Sequence, residues 1–278
     1  MPEKGALARS WSLMEASWEI LLKNKILMIY PLVSLTFTAA IASFFFGPGV
    51  WAEEDPALHS QPLMIAFYLV MMFGFTFTSV AFCHEVMIAF SGEAVSVRRG
   101  FAFARRRIKA ILLWSLFAGL VGLLIRNLEQ RFGIVGKIVL RLTGVVWSVA
   151  SVFAIQVMIR EESANPLELL RKSSTTLRRN WKDNLVGYVG IGVVSAVIVG
   201  AFLVAVFVGI SFVKPEMGPR GGIALNVTIG LLFLVAMVLA SSLDSIFRCA
   251  LYIYASEGVA PAPYDSNLMD GAWKVKKS

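Results

Sequence analysis

Four ionisable residues stand inside otherwise apolar runs and are the first candidates for chemistry. His84 and Glu85 fall late in one run, Asp244 and Arg248 late in another. A carboxylate beside an imidazole can pass protons near neutral pH, and charge is costly enough in hydrocarbon that such groups are functional suspects by default. Asp244 and Arg248 are four residues apart, the spacing that pairs opposite charges along one helix face. We read the four as a structural set, an internal salt bridge with interfacial anchors holding two helices in register; a proton or ion relay is the alternative. A hydrolytic or metal centre has little to build on, because the other histidine, His59, lies in a different region and neither HExxH nor paired-acid spacing occurs. Cys83 and Cys249 lie within or at the end of apolar runs without CxxC or His/Cys ligand spacing, so neither a disulfide framework nor a zinc site is expected. No catalytic residue, metal or cofactor is assigned.

The elements that carry these residues follow from composition. The chain has 278 residues, 57% hydrophobic and 16% charged, with a mean hydropathy of +0.72, against about 45–50% and 25% in soluble domains. This composition implies an all-α integral membrane protein with no room for a separate soluble enzyme domain. Six runs can cross about 30 Å of hydrocarbon: Ile26–Phe46, Leu63–Ala89, Lys109–Ile125, Leu142–Ile159, Leu185–Val213 and Ile223–Tyr254. An even number puts both termini on one side. The first run begins after about 25 mixed residues and is too long for a signal-peptide core, so it reads as an uncleaved span.

Orientation follows the Lys and Arg residues. Lys4, Arg9, Lys23 and Lys25 precede span one; Arg98, Arg99, Arg105, Arg106, Arg107 and Lys109 lie between spans two and three; Arg160, Arg171, Lys172, Arg178, Arg179 and Lys182 between four and five; Lys274, Lys276 and Lys277 in the tail. These mark the cytoplasmic side. The first outer loop is acidic, with Glu53, Glu54 and Asp55; the second departs from the rule with Arg126, Arg131, Lys137 and Arg141, and 126–141 reads as a short surface helix.

Each odd-numbered span is preceded by an amphipathic segment, here termed an elbow. Val97, Phe101, Ala104 and Ile108 step by four, three and four, and 73 residues later Leu170, Ser174, Leu177 and Trp181 repeat the spacing. The same shift carries Arg98, Arg99, Arg105, Arg106 and Lys109 onto Arg171, Lys172, Arg178, Arg179 and Lys182. Leu7, Trp11, Met14 and Trp18 repeat the apolar steps near the start of the chain, with Glu15 and Glu19 in place of basic partners. Such spacing puts one apolar stripe under a polar face, so the elbows are expected to lie along the membrane interface, with Trp11, Trp18 and Trp181 as interfacial anchors. In the third elbow Asn165 is the expected N-cap, Pro166 opens the helix and Glu168 stands where a capping-box acid reaches back. The expected architecture is one membrane domain over 1–278: repeat units of elbow plus transmembrane hairpin at about 5–90, 91–160 and 161–256, and a cytoplasmic tail at 257–278.

The stretches RSWSLMEASWEILLKNKILMIYPLVS, GFAFARRRIKAILLWSLFAGLVGLLIRNLEQRFG, EESANPLELLRKSSTTLRRNW and FRCALYIYASEG resemble an uncharacterised family of bacterial and archaeal six-span membrane proteins, a domain of unknown function. The chain is more distantly similar to the membrane domains of some glycerophosphodiester phosphodiesterases. The resemblance implies this fold, with a bacterial or archaeal cytoplasmic membrane as its location, and supplies no catalytic residues. The family's common proline near Gln156 is missing here, so the resemblance carries no kink in span four over to this chain.

The expected role is that of a non-enzymatic envelope protein whose basic elbows hold anionic lipid headgroups. The alternative is a channel or carrier for a small solute or ion along the repeat axis, lined by the four intramembrane residues. Nucleic acid is not an expected partner, because the apolar stripe commits the elbows to the membrane. Gly187, Gly190, Gly192, Ala201, Ala205 and Gly209 read as close helix packing within the chain, with a homo-oligomer interface as the alternative.

Overall fold

A computed structural model describes residues 6–46, 61–131, 143–161, 163–180, 200, 219–266 and 269, with the side chains of Arg178 and Arg179 not among them. Span five, Trp181 and Lys182 lie outside the described residues. The regular structure among the described residues is helical: α1 (Ala6–Lys23), a 3-10 turn (Lys25–Met28), α2 (Ile29–Phe46), α3 (Gln61–Phe90), α4 (Val97–Arg106), α5 (Ile108–Arg131), α6 (143–150), α7 (Ala154–Arg160), α8 (Pro166–Asn180) and α9 (Pro219–Glu257).

Among the described residues, five stretches are long and apolar enough to cross a membrane: Lys25–Phe45, Gln61–Phe90, Ile108–Glu129, Thr143–Arg160 and Thr228–Glu257. This is a multi-pass membrane protein. Span three runs past its expected end, because Arg126–Arg131 continue α5 rather than begin a separate surface helix; charge ends an apolar run without ending a helix. Residues 132–142, where that surface helix was expected to continue, lie outside the described residues.

Span four departs further. It is interrupted at 151–153 without a proline. The fully buried Phe153 N–H donates to Ser173 Oγ of α8 at 3.1 Å, and helical bonding resumes with Val157 N–H to Phe153 O at 2.8 Å. A hydroxyl from outside the span takes the backbone donor, one of the recognised causes of a kink.

The chain forms two compact units. One holds Asn24–Asn180 with Ala255–Gly258. In it α2, α4, α5 and the span-four helix α7 pack on the long α3, and α8 packs on α5 and α7. The other holds α1, α9 as far as Tyr254 and the segment from Val259. There α1 buries Leu13, Ala16, Ser17, Ile20 and Leu21, while Trp11 and Trp18 on the expected stripe remain exposed, so α1 carries two apolar faces. Ser17 Oγ donates to Leu13 O at 3.0 Å, which leaves the buried Tyr264 hydroxyl to donate to Ser17 Oγ at 2.7 Å.

Candidate functional site

The site is assembled where α3 hands over to α4. Helix α3 ends at Gly92, whose φ of 79° is the left-handed conformation that ends helices and that glycine enters without a Cβ clash. After three intervening residues Ser96 caps α4, its backbone extended at φ −140° and ψ 117° and its hydroxyl accepting from Arg99 N–H at 3.4 Å. This reversal brings α4 back over the last turns of α3 and onto Glu85.

Glu85 is fully buried, and four donors converge on it. Oε2 accepts from Ser96 N–H at 2.7 Å and from Arg99 Nη2 at 2.8 Å. Oε1 accepts from Arg99 Nε at 2.9 Å and lies 3.1 Å from His84 Nδ1. The forked guanidinium contact is the strong, directional form of a carboxylate–arginine pair. Arg99 also donates to Ala94 O at 2.8 Å and lies 3.6 Å from Glu93. These carboxylate contacts, led by the hydrogen bonds to Glu85, hold the Arg99 guanidinium pKa above its ordinary value. The His84 ring stacks on Phe103 of α4 at 4.0 Å.

Gly100, buried next to Arg99, lets α4 sit this close. A Cβ there would lie 2.1 Å from Tyr30 Oη, 2.9 Å from Ala81 O and 2.9 Å from Glu85 Cγ. Tyr30 reaches the same point from α2, donating to Ser96 O at 3.3 Å and packing against Phe82 and Phe101.

The surroundings of the elbow residues differ from one position to the next. The middle of the second elbow's apolar stripe faces protein: Phe101 packs against Tyr30 and Phe77, and Ala104, with Gly100 beside it, is buried within the unit, while Ile108 at the end of the stripe is exposed. Protein and hydrocarbon are equally apolar covers, so the spacing alone did not distinguish them. Arg99 and Lys172, grouped with the headgroup-facing cations, are instead taken up by acids. Lys172 lies 2.8 Å from Glu161 and 3.1 Å from Glu168. Those hydrogen bonds, Glu161 first, raise the Lys172 pKa; Ser163 and then Lys172 lower that of Glu168. Arg98, Arg105, Arg106, Lys109 and Arg171 are exposed.

Asn165 caps α8 as expected, its Oδ1 accepting from Leu167 N–H at 3.0 Å. Glu168 does not reach back to it; Ser163 donates to Glu168 and takes the Asn165 N–H at 3.1 Å. Arg248 pairs with Asp244 along α9, so Glu85 and Asp244 each have a cationic partner within their own unit. Sequence reasoning missed Tyr30, Ser96, Gly100 and Ser173. The available signal was Glu85 itself, since an acid in an apolar run needs a cation and Arg98–Arg99 are the nearest.

Residues 60–262 match the family of unknown function designated DUF6159. The chain belongs to that family. In this member of DUF6159 the matched segment contains Glu85, Ser96, Arg99 and Gly100 but not Tyr30. No curated protein and no solved structure matches the chain.

Proposed function

We propose that this is a non-enzymatic protein of a bacterial or archaeal cytoplasmic membrane, crossing six times with both termini cytoplasmic, whose basic elbows engage anionic lipid headgroups. The observation that carries the reading is the outward side of α4, where Arg98, Arg105 and Arg106 are exposed while Gly100 and Ala104 are buried behind them. Cations beside an anionic leaflet each contribute about 1 kcal/mol.

Two contacts support the sixth crossing. Arg160, at the end of span four, pairs at 3.0 Å with Glu257, at the end of the last candidate span. Ends that touch share one side of a bilayer, so the chain between them crosses an even number of times. Thr228–Glu257 is the one candidate described in that interval, which favours another in the apolar run 185–213. The Ser17–Tyr264 hydrogen bond argues the same parity across all five described candidates.

The repeat has support of its own. The 73-residue shift takes Gly100 onto Ser173 and Ala104 onto Leu177, and all four are buried. Cys83 and Cys249 are both buried, and each stands nine residues before a glycine with positive φ, Gly92 or Gly258. The channel or carrier alternative has less support, because both Glu85 oxygens are occupied by donors from the protein.

Delipidated protein offered equal phosphatidylglycerol and phosphatidylcholine should retain phosphatidylglycerol preferentially in native mass spectra. The preference should fade at about 1 M salt, where the screening length falls to about 3 Å. Equal retention of the two lipids at low salt would contradict the reading.

A further inference from the structure

Neighbouring cations on the elbows have different surroundings. Arg99 is forked onto a fully buried carboxylate whose other partners are the backbone of the α4 cap and His84 Nδ1. Its neighbour Arg98 is exposed, as are Arg105 and Arg106 further along the same helix. In the third elbow, 73 residues on, the pattern recurs: Lys172 is held by Glu161 and Glu168 while its neighbour Arg171 is exposed. In both elbows the acid-held cation is followed by a small buried residue seated on the preceding span, Gly100 against Ala81 O and Ser173 against Phe153 N–H. A cation followed by a small residue, Arg9-Ser10, also stands 90 residues before Arg99-Gly100 in the sequence.

We propose that the elbows divide their cations between two tasks. Arg99 and Lys172 are positioning residues that dock each elbow on its own unit through acid partners, and Arg98, Arg105 and Arg106 take the phosphate of an anionic lipid headgroup. The inference rests on the lipid reading above and deepens it. Three features favour phosphate over an apolar partner. Arg98 and Arg105 are seven residues apart, two turns along one face; Arg106 adjoins them; and the residue between them on that face is the small Ala102. A guanidinium whose donors already face Glu85 and Ala94 O has few left for a lipid, whereas exposed guanidiniums keep the donors that fork onto phosphate oxygens.

The test measures phosphatidylglycerol retention by native mass spectrometry, and the unfolding midpoint in lipid-free detergent, on the full chain. The triple variant R98Q/R105Q/R106Q should bind phosphatidylglycerol at least tenfold more weakly with its midpoint within about 2 °C of wild type. Arg99→Lys, which keeps the charge but not the fork, should retain the lipid within about twofold and lose roughly 5 °C or more. Glu85→Gln, which frees Arg99, should leave retention unchanged. If Arg99→Lys loses the lipid at an unchanged midpoint, or Glu85→Gln gains lipid, Arg99 is a headgroup ligand and the division of tasks fails. If every variant retains lipid like wild type, the lipid reading fails instead.

Discussion

Arg99→Gln is expected to destabilise the protein by about 3–5 kcal/mol, and to do so more than Glu85→Gln. The asymmetry follows from exposure. Removing Arg99 leaves a carboxylate that is 0% exposed without its cation, whereas removing the Glu85 charge leaves a guanidinium that is 34% exposed and can turn to water. The neutral amide introduced by Glu85→Gln also keeps an acceptor for the Ser96 N–H, so about 1.5–3 kcal/mol is expected for that variant, the range for a hydrogen bond to a charged group. The double variant E85Q/R99Q should be less damaging than the sum of the singles, because the buried charge and its partner go together. Denaturation midpoints of the four proteins in one detergent check this. Equal, additive losses would mean that the pair contributes only packing.

Gly100→Ala is expected to destabilise by about 1–3 kcal/mol, although alanine in a helix interior is intrinsically favoured by about 1 kcal/mol. The added methyl would meet Tyr30 Oη at 2.1 Å and the backbone oxygen of Ala81 at 2.9 Å. The phenol could yield alone, but it is packed against Phe82 and Phe101 and bonded to Ser96 O, and the backbone oxygen cannot yield. Adding Tyr30→Phe should restore part of the loss and not all of it, since Ala81 O and Glu85 Cγ remain in the way. A Gly100→Ala protein with a raised unfolding midpoint would show that α4 is not seated as closely as described.

Much of the fold was legible in the sequence because long apolar runs and i, i+4 pairs are local signals. Four of the described spans begin within about two residues of the expected start. The last candidate, Thr228–Glu257, lies within α9 and overlaps most of the expected Ile223–Tyr254, and Asp244 meets Arg248 one helical turn away. The site was not legible to the same degree, because its contacts depend on a chain reversal. Glu85 and Arg99 are fourteen residues apart and meet only because Gly92 and Ser96 fold α4 back over α3. The interruption of span four was hidden for the same reason, since its cause, Ser173, lies twenty residues downstream. Periodicity identified the apolar side of the second elbow but could not say whether lipid or protein would cover it, and α4 turns that side onto Tyr30 and Phe77.

The most direct test of the account is the sidedness of two surface positions in a membrane-impermeant maleimide assay. Arg98 and Val259 are exposed, while Cys83 and Cys249 are buried and give a low background. Arg98→Cys and Val259→Cys should both be labelled in inside-out vesicles and in neither case in intact cells, as an even number of crossings and cytoplasmic elbows require. Labelling of either position from outside intact cells, or of the two from opposite sides, would contradict both the topology and the headgroup-binding role built on it.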